Sequence, residues 1–312
     1  MPAPHQSHGM RIRLLSGIAC AAWLIALPLL AQEQVPVLQY APSDGTRYTT
    51  TETGTVTLDA GGDREITIES EMKGAVVIKR EGSDYLRSDT LVSFDLRSDS
   101  GKPPRNYALE VLQGMTITFR IDADKRLVSV SGLEGLPKRI KARTPPEVAS
   151  PLAKELTEER ILQLARMDWE GSEMNLLGHP ARVGEAWLGL DELVIPFART
   201  QRVYMATKVT GRARVRGREC LVIRQQFALD PAALVGFLGE GGAKDVAGKS
   251  PIVSDCEVTG TAQQTVDPAT LLCYGNSKTI TARATVELPD AGRVPMTIQE
   301  TTKCQYQYEA PK

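Results

Sequence analysis

His179 is the first residue to weigh for chemistry. It is the one histidine that remains once the N-terminal 31 residues are set aside. An imidazole next to a serine or cysteine nucleophile could serve acyl transfer. Its setting, Gly178-His179-Pro180, is instead a turn composition, and no G-x-S-x-G accompanies it. A zinc site would then depend on cysteines and carboxylates, but neither C-x-x-C nor H-E-x-x-H occurs. Gly248-Lys249-Ser250 matches the end of a phosphate-binding loop, yet the first glycine of that motif falls on Ala243. Asp122 and Asp124 could ligate a metal, although a turn between strands needs such residues anyway. These readings lead to an expectation of a non-enzyme, with no catalytic residue, metal or cofactor.

Cys220, Cys256, Cys273 and Cys304 all lie in the second half of the chain. An even number of cysteines in an oxidising compartment suggests disulfides, with three connectivities open. If a strand over 270–288 separates Cys256 from Cys304, those two lie about 10 Å apart, too far to bridge. The expected pairs are therefore 220–256 and 273–304, the first needing a bulge to bring Cys220 round. Lys208, Arg212, Arg214, Arg216 and Arg218 share one parity and predict a basic stripe on a solvated sheet face.

The elements that must position these residues begin after a leader. Arg11 and Arg13 precede an uncharged apolar run, Leu14–Leu30, and Ala31 closes it before polar Gln32-Glu33-Gln34. This predicts an export signal over residues 1–31, cleaved after Ala31, and a periplasmic or extracellular protein. Retention of the run as a membrane anchor is the alternative. Without residues 1–31 the chain carries 35 basic and 38 acidic residues. So small a net charge gives no electrostatic case for nucleic acid. Residues 32–45 read as a leader segment, followed by one β-rich domain over 46–310.

Alternation dominates that domain. Ile66, Ile68, Met72, Val76 and Ile78 fall on one face of a strand, with Thr67, Glu69, Glu71 and Lys73 on the other. Val92, Phe94 and Leu96 repeat the pattern. Leu109, Val111, Met115, Ile117 and Phe119 follow on odd positions and predict a further strand. After a helical joint at 147–168 come Leu221/Ile223/Phe227, Ile280/Val286/Leu288 and Met296/Ile298. The joint itself predicts two helices, about 147–156 and 158–168, started by Ser150-Pro151 and by Thr157.

Several short motifs accompany these elements: the Asp122-Ala123-Asp124-Lys125 turn, Val183-Gly184-Glu185-Ala186-Trp187, and the hairpin Gly217–Ile223. Together with the Thr-rich meander they resemble uncharacterised bacterial secreted proteins thought to share the LolA/LppX-like fold. That fold is an incomplete antiparallel barrel closed by helices, and the resemblance spans roughly residues 38–309. It implies a concave apolar face able to hold a lipid or another apolar small molecule, and it supplies no catalytic residue.

The fold expected is α+β: a curved antiparallel sheet or incomplete β-barrel of about nine strands, with a few helices packed on its open side. Strands with a single apolar face must wrap around a shared interior. Ile66, Ile68, Met72, Val76, Ile78, Phe94, Ile117 and Phe119 are the candidate lining of an apolar cavity. Function is expected to be non-enzymatic lipid binding in the cell envelope. A structural or interaction protein with a filled core is the alternative.

Overall fold

The computed structural model describes residues 35–59, 65–101, 104–193, 201–234, 237–238, 256–288 and 292–309. The export signal, the turn at 60–63 and the loop at 239–250 lie outside the described residues.

The unit Val35–Lys312 is α+β and mostly β, built on one eleven-stranded antiparallel sheet. Its first meander is β1 (Thr46–Asp59), β2 (Glu65–Glu81), β3 (Asp84–Ser98), β4 (Thr116–Ile121) and β5 (Leu127–Ser131). Its second is β6 (Ala186–Leu193), β7 (Gln201–Val215), β8 (Arg218–Ala228), β9 (Cys256–Val266), β10 (Cys273–Leu288) and β11 (Gly292–Tyr308). Each strand pairs with its sequence neighbours within a meander, and β1 pairs with β11 to join the two. The edges of the sheet are β5 and β6.

Four helices lie between these edges or beside them: α1 (Tyr107–Leu112), α2 (Leu136–Arg143), α3 (Pro146–Glu155) and α4 (Glu158–Trp169). A π-helical turn, Glu170–Met174, continues α4. The Thr157 hydroxyl caps α4 by accepting from Arg160 N at 3.2 Å, as its sequence predicts. Helix α3 has the expected extent but a different start. Pro145 is its cap and Pro146 its first residue, while Pro151 sits inside it.

Two expected strand features are corrected. Tyr107–Leu112 is helix, because Asn106 Oδ1 accepts from Leu109 N and Gly114, at φ +77°, ends the run. Met115 therefore packs with Val111, Leu136 and Ile140 in a small core between α1 and α2, and not along a strand. Val92 does not follow Phe94 and Leu96: a bulge opposite Lys73/Gly74 breaks the parity of β3 and leaves Val92 51% exposed. The bulge at Val209/Gly211 likewise divides the expected basic stripe. Lys208 lies half-buried near Phe237, Arg212 pairs with Glu219 at 3.4 Å, and Arg218 pairs with Asp267 at 3.1 Å.

The sheet curves around its inner face, and every strand gives side chains to that face. At one end the interior is closed. Ile78, Tyr85, Ile121 and Leu127 from the first meander meet Trp187, Val209, Leu221 and Ile223 from the second in a single core. Each such fully buried aliphatic or aromatic side chain contributes roughly 1.5–3 kcal/mol. The helical joint fills the gap between the edges. Trp169 Nε1–H donates to the Lys125 carbonyl at 2.8 Å, and Arg166 Nε–H donates to the Leu127 carbonyl at 2.7 Å. On the other edge, Trp187 Nε1–H donates to the Asn175 carbonyl at 2.9 Å.

Gly171 and Gly189 permit this docking. A Cβ at Gly171 would run into the Asp191 carboxylate, and one at Gly189 into the Asn175 side chain. The leader is also part of the domain, contrary to its reading as a lead-in. Leu38 N donates to the His179 carbonyl at 2.8 Å, and Leu38 and Tyr40 are buried in the closed core.

At the other end the inner face is apolar and mostly aliphatic. Val203, Met205, Phe227, Val258, Ala282 and Ile298 form its buried floor, with Val56, Leu58 and Ile280 packed against them.

Candidate functional site

Cross-strand register places a band of polar residues between the two ends. On the inner face Glu52 opposes Cys304, Cys304 opposes Asn276, and Asn276 opposes Gln264. The next row holds Thr302, Lys278, Ala262, Gln225 and Thr207. Thr207 is completely buried, and its hydroxyl accepts from Asn175 Nδ2 at 3.0 Å.

A cavity of about 300 Å³ opens between this band and the helical joint. Tyr40, Tyr48, Tyr306 and Tyr308 form its aromatic side, and Asp168, Ser172 and Glu173 reach it from α4 and the π-helical turn. Glu52, Lys278 and Glu300 face it from the sheet. Arg87 enters from β3 and is clamped by Asp89, with Nε–Oδ1 and Nη2–Oδ2 both 3.0 Å. Burial pushes that guanidinium's pKa down, but the Asp89 carboxylate beside it holds it well above its ordinary value.

The carboxyl groups are perturbed in the opposite sense. Burial pushes Glu173 up to about 7; Arg87 opposes the rise, and Asp168 reinforces it. Burial also raises Glu52, helped by Asp168 and Glu300 and resisted by Lys278. Asp191 is raised by burial too. Two buried polar atoms in the cavity wall have no hydrogen-bond partner among the described residues: the Tyr40 hydroxyl and Asn276 Oδ1. An unpaired buried polar atom costs about 1–3 kcal/mol. Native interiors leave few of them without a reason.

The expected apolar lining is thus corrected. Of the eight candidate residues only Ile78 lines this cavity. Val76 and Phe119 pack in the closed core. Ile117 lies in the inner row opposite Asp89, and Met72 and Phe94 are half-buried cross-strand partners. Ile68 is half-buried further along, and Ile66 is 37% exposed. Their face is the one alternation predicts; what they build is its wall. The missed polar residues carried a weak signal. Glu52 shares parity with Val56 and Leu58, Lys278 with Ile280, and Glu300 with Ile298. Such interruptions of an apolar face mark wet positions inside.

The cysteines are also corrected. Cys220, Cys273 and Cys304 are free thiols, and no disulfide is formed among the described residues. The 220–256 pair fails on register. Leu221 opposes Val266, so Cys256 lies about 33 Å further along β9. Cys273 and Cys304 do sit on neighbouring strands at the cavity, with the Tyr306 phenol in hydrogen-bonding reach of both. Burial pushes the Cys273 thiol up to about 12.

His179 stacks on Trp187, ring centres 4.0 Å apart and nearly parallel at 7°, which accounts for it by packing. Asp122 Oδ1 accepts from Arg126 N at 2.8 Å, the contact of a turn.

No protein-family model matches the chain, and no curated protein does. Among solved structures, a chain described for lipid–protein interactions in lipovitellin is similar at a TM-score of 0.44 and 11% identity, over 88% of this chain and 26% of that one. The present chain thus spans about a quarter of its length. A DUF1329 family protein from Desulfovibrio piger is similar at a TM-score of 0.18 and 12% identity, over 85% of each chain. Pseudomonas aeruginosa OccK8 (OprE) follows at 0.16 and 6%, over 86% of this chain and 99% of that one. The functional reading rests on the interior of this chain alone.

Proposed function

We propose that this protein is an exported, non-enzymatic carrier that holds an amphiphilic ligand within its curved sheet. One observation carries the reading. The inner face divides into a polar cavity with two unpartnered buried atoms and an adjoining aliphatic wall. A ligand with a polar end and an apolar end matches both, and polar groups in the cavity would fix its orientation. The cavity volume lies at the small end of ligand pockets, suited to a headgroup and not to a whole lipid. Val56, Leu58 and Ile280, only partly covered, offer a surface for the apolar end.

The solidly packed closed end favours a second reading, a structural envelope protein. Native mass spectrometry of protein purified from the periplasm separates the two. Co-purified amphiphile, lost on denaturation, is expected. A ligand-free protein that also fails to take up dodecyl compounds would overturn the carrier reading. N-terminal sequencing of the same material should begin close to Gln32, whereas an intact Arg11 would reject cleavage after Ala31.

A further inference from the structure

We infer that the polar cavity recognises a protonated primary amine, and that this amine is the headgroup of the amphiphile proposed above. The inference rests on that carrier reading for its apolar part only.

Charge balance is the first observation. Arg87 is neutralised by its bidentate contact with Asp89. Lys278 is then the one remaining cation of the wall, against the carboxylates of Glu52, Asp168, Glu173 and Glu300. None of these four forms a salt bridge among the described residues. Glu52 and Glu173 are half-buried and Asp168 and Glu300 exposed, so the wall carries more carboxylate than cation, and a bound cation relieves that imbalance.

The second observation is independent of charge. Tyr40 is 4% exposed, and its hydroxyl has no partner in the cavity wall; Asn276 Oδ1 is an unsatisfied acceptor in the same wall. Asn276 Oδ1 calls for a donor, and the Tyr40 oxygen can accept one as well as donate. A primary ammonium carries three, whereas a quaternary ammonium carries none. The tyrosine rings add faces that attract a cation. A metal ion does not fit as well, because no three His, Cys, Asp or Glu side chains among the described residues are placed to hold one.

The test uses the whole mature protein at pH 8 and four dodecyl probes below their micelle concentrations: dodecylamine, dodecyltrimethylammonium, dodecanol and dodecanoate. Calorimetry should find dodecylamine at least about tenfold tighter than the other three. Glu173→Gln and Tyr40→Phe should each lower the ratio of dodecylamine to dodecanol affinity several-fold, measured for both probes on the same variant. If dodecanol or dodecanoate matches dodecylamine, the amine inference falls and the carrier reading stands. If dodecyltrimethylammonium matches it, the donor argument falls. If no dodecyl probe binds but ethanolamine does, the amine inference stands and the carrier reading falls. If nothing binds, both are overturned.

Discussion

The two ends of the interior share strands β1 and β7 to β11 yet differ in kind. At the closed end, aromatic rings carry polar handles, and both tryptophan handles are placed. Tyr40 meets Tyr85 and Trp169 edge-on at 5.3 and 4.9 Å, and the Trp169 and Trp187 N–H groups both reach carbonyls. At the open end, aliphatic side chains cover one another without any hydrogen bond to orient them. A curved sheet can therefore be closed by aromatic and helical packing at one end and covered by apolar side chains of its own strands at the other. The polar band marks where one regime gives way to the next.

The comparison breaks most visibly at Trp169. Trp169→Ala removes a side chain only 3% exposed together with its contact to the β4–β5 turn. It should cost about 3–5 kcal/mol in urea denaturation. A cost below about 1 kcal/mol would mean that the joint does not hold the closed end.

Glu173→Gln sharpens the polar boundary through pH. The Glu173 pKa is raised from the usual 4.5 to about 7, so the folded state holds a proton that the unfolded state has released between those values. Wild-type stability should therefore decline as pH rises from about 4.5 to 7, by on the order of 2 kcal/mol. The glutamine variant lacks this decline and should be the more stable form at pH 8, with the two converging near pH 4.5. Parallel pH curves would contradict a buried, proton-holding Glu173.

His179→Ala removes one ring of the stack on Trp187 and should cost about 1 kcal/mol. Any measured binding should be unaffected; a large loss of binding without unfolding would assign His179 a role this structure does not give it. Ile66→Ala, at a position 37% exposed on the open end, should cost less than about 1 kcal/mol. A loss matching that of Trp169→Ala would erase the distinction between the ends.

Alternation in the sequence identifies the inner face correctly in most strands, because period 2 is a direct consequence of the pleat. It predicts one sheet in two meanders and finds α3 and α4. It is silent about position along the barrel axis. Ile66 and Ile78 share a face, but one ends at a partly exposed rim and the other in a closed core. Alternation also fails wherever a bulge shifts parity, as at Val92 and Gly211. The cavity was the least visible feature, because Tyr40 and Glu173 come from a leader and a π-helical turn. Neither has a periodic signature, and only the folded chain brings them beside Glu52 and Asn276.

The seam between β1 and β11 has a further consequence, for the order of assembly. Its paired residues lie some 240 to 260 positions apart in sequence, whereas every other pairing joins successive strands. Non-local pairing must bear loop-closure entropy before any contact rewards it, and high contact order slows folding. Each meander can form early, but the cavity wall, with Glu52 on β1 against Cys304 on β11, exists only once the last strand has docked. Until the ribosome has released the C-terminal strand, the Thr-rich edge of β1 stays an unpaired template for any other strand.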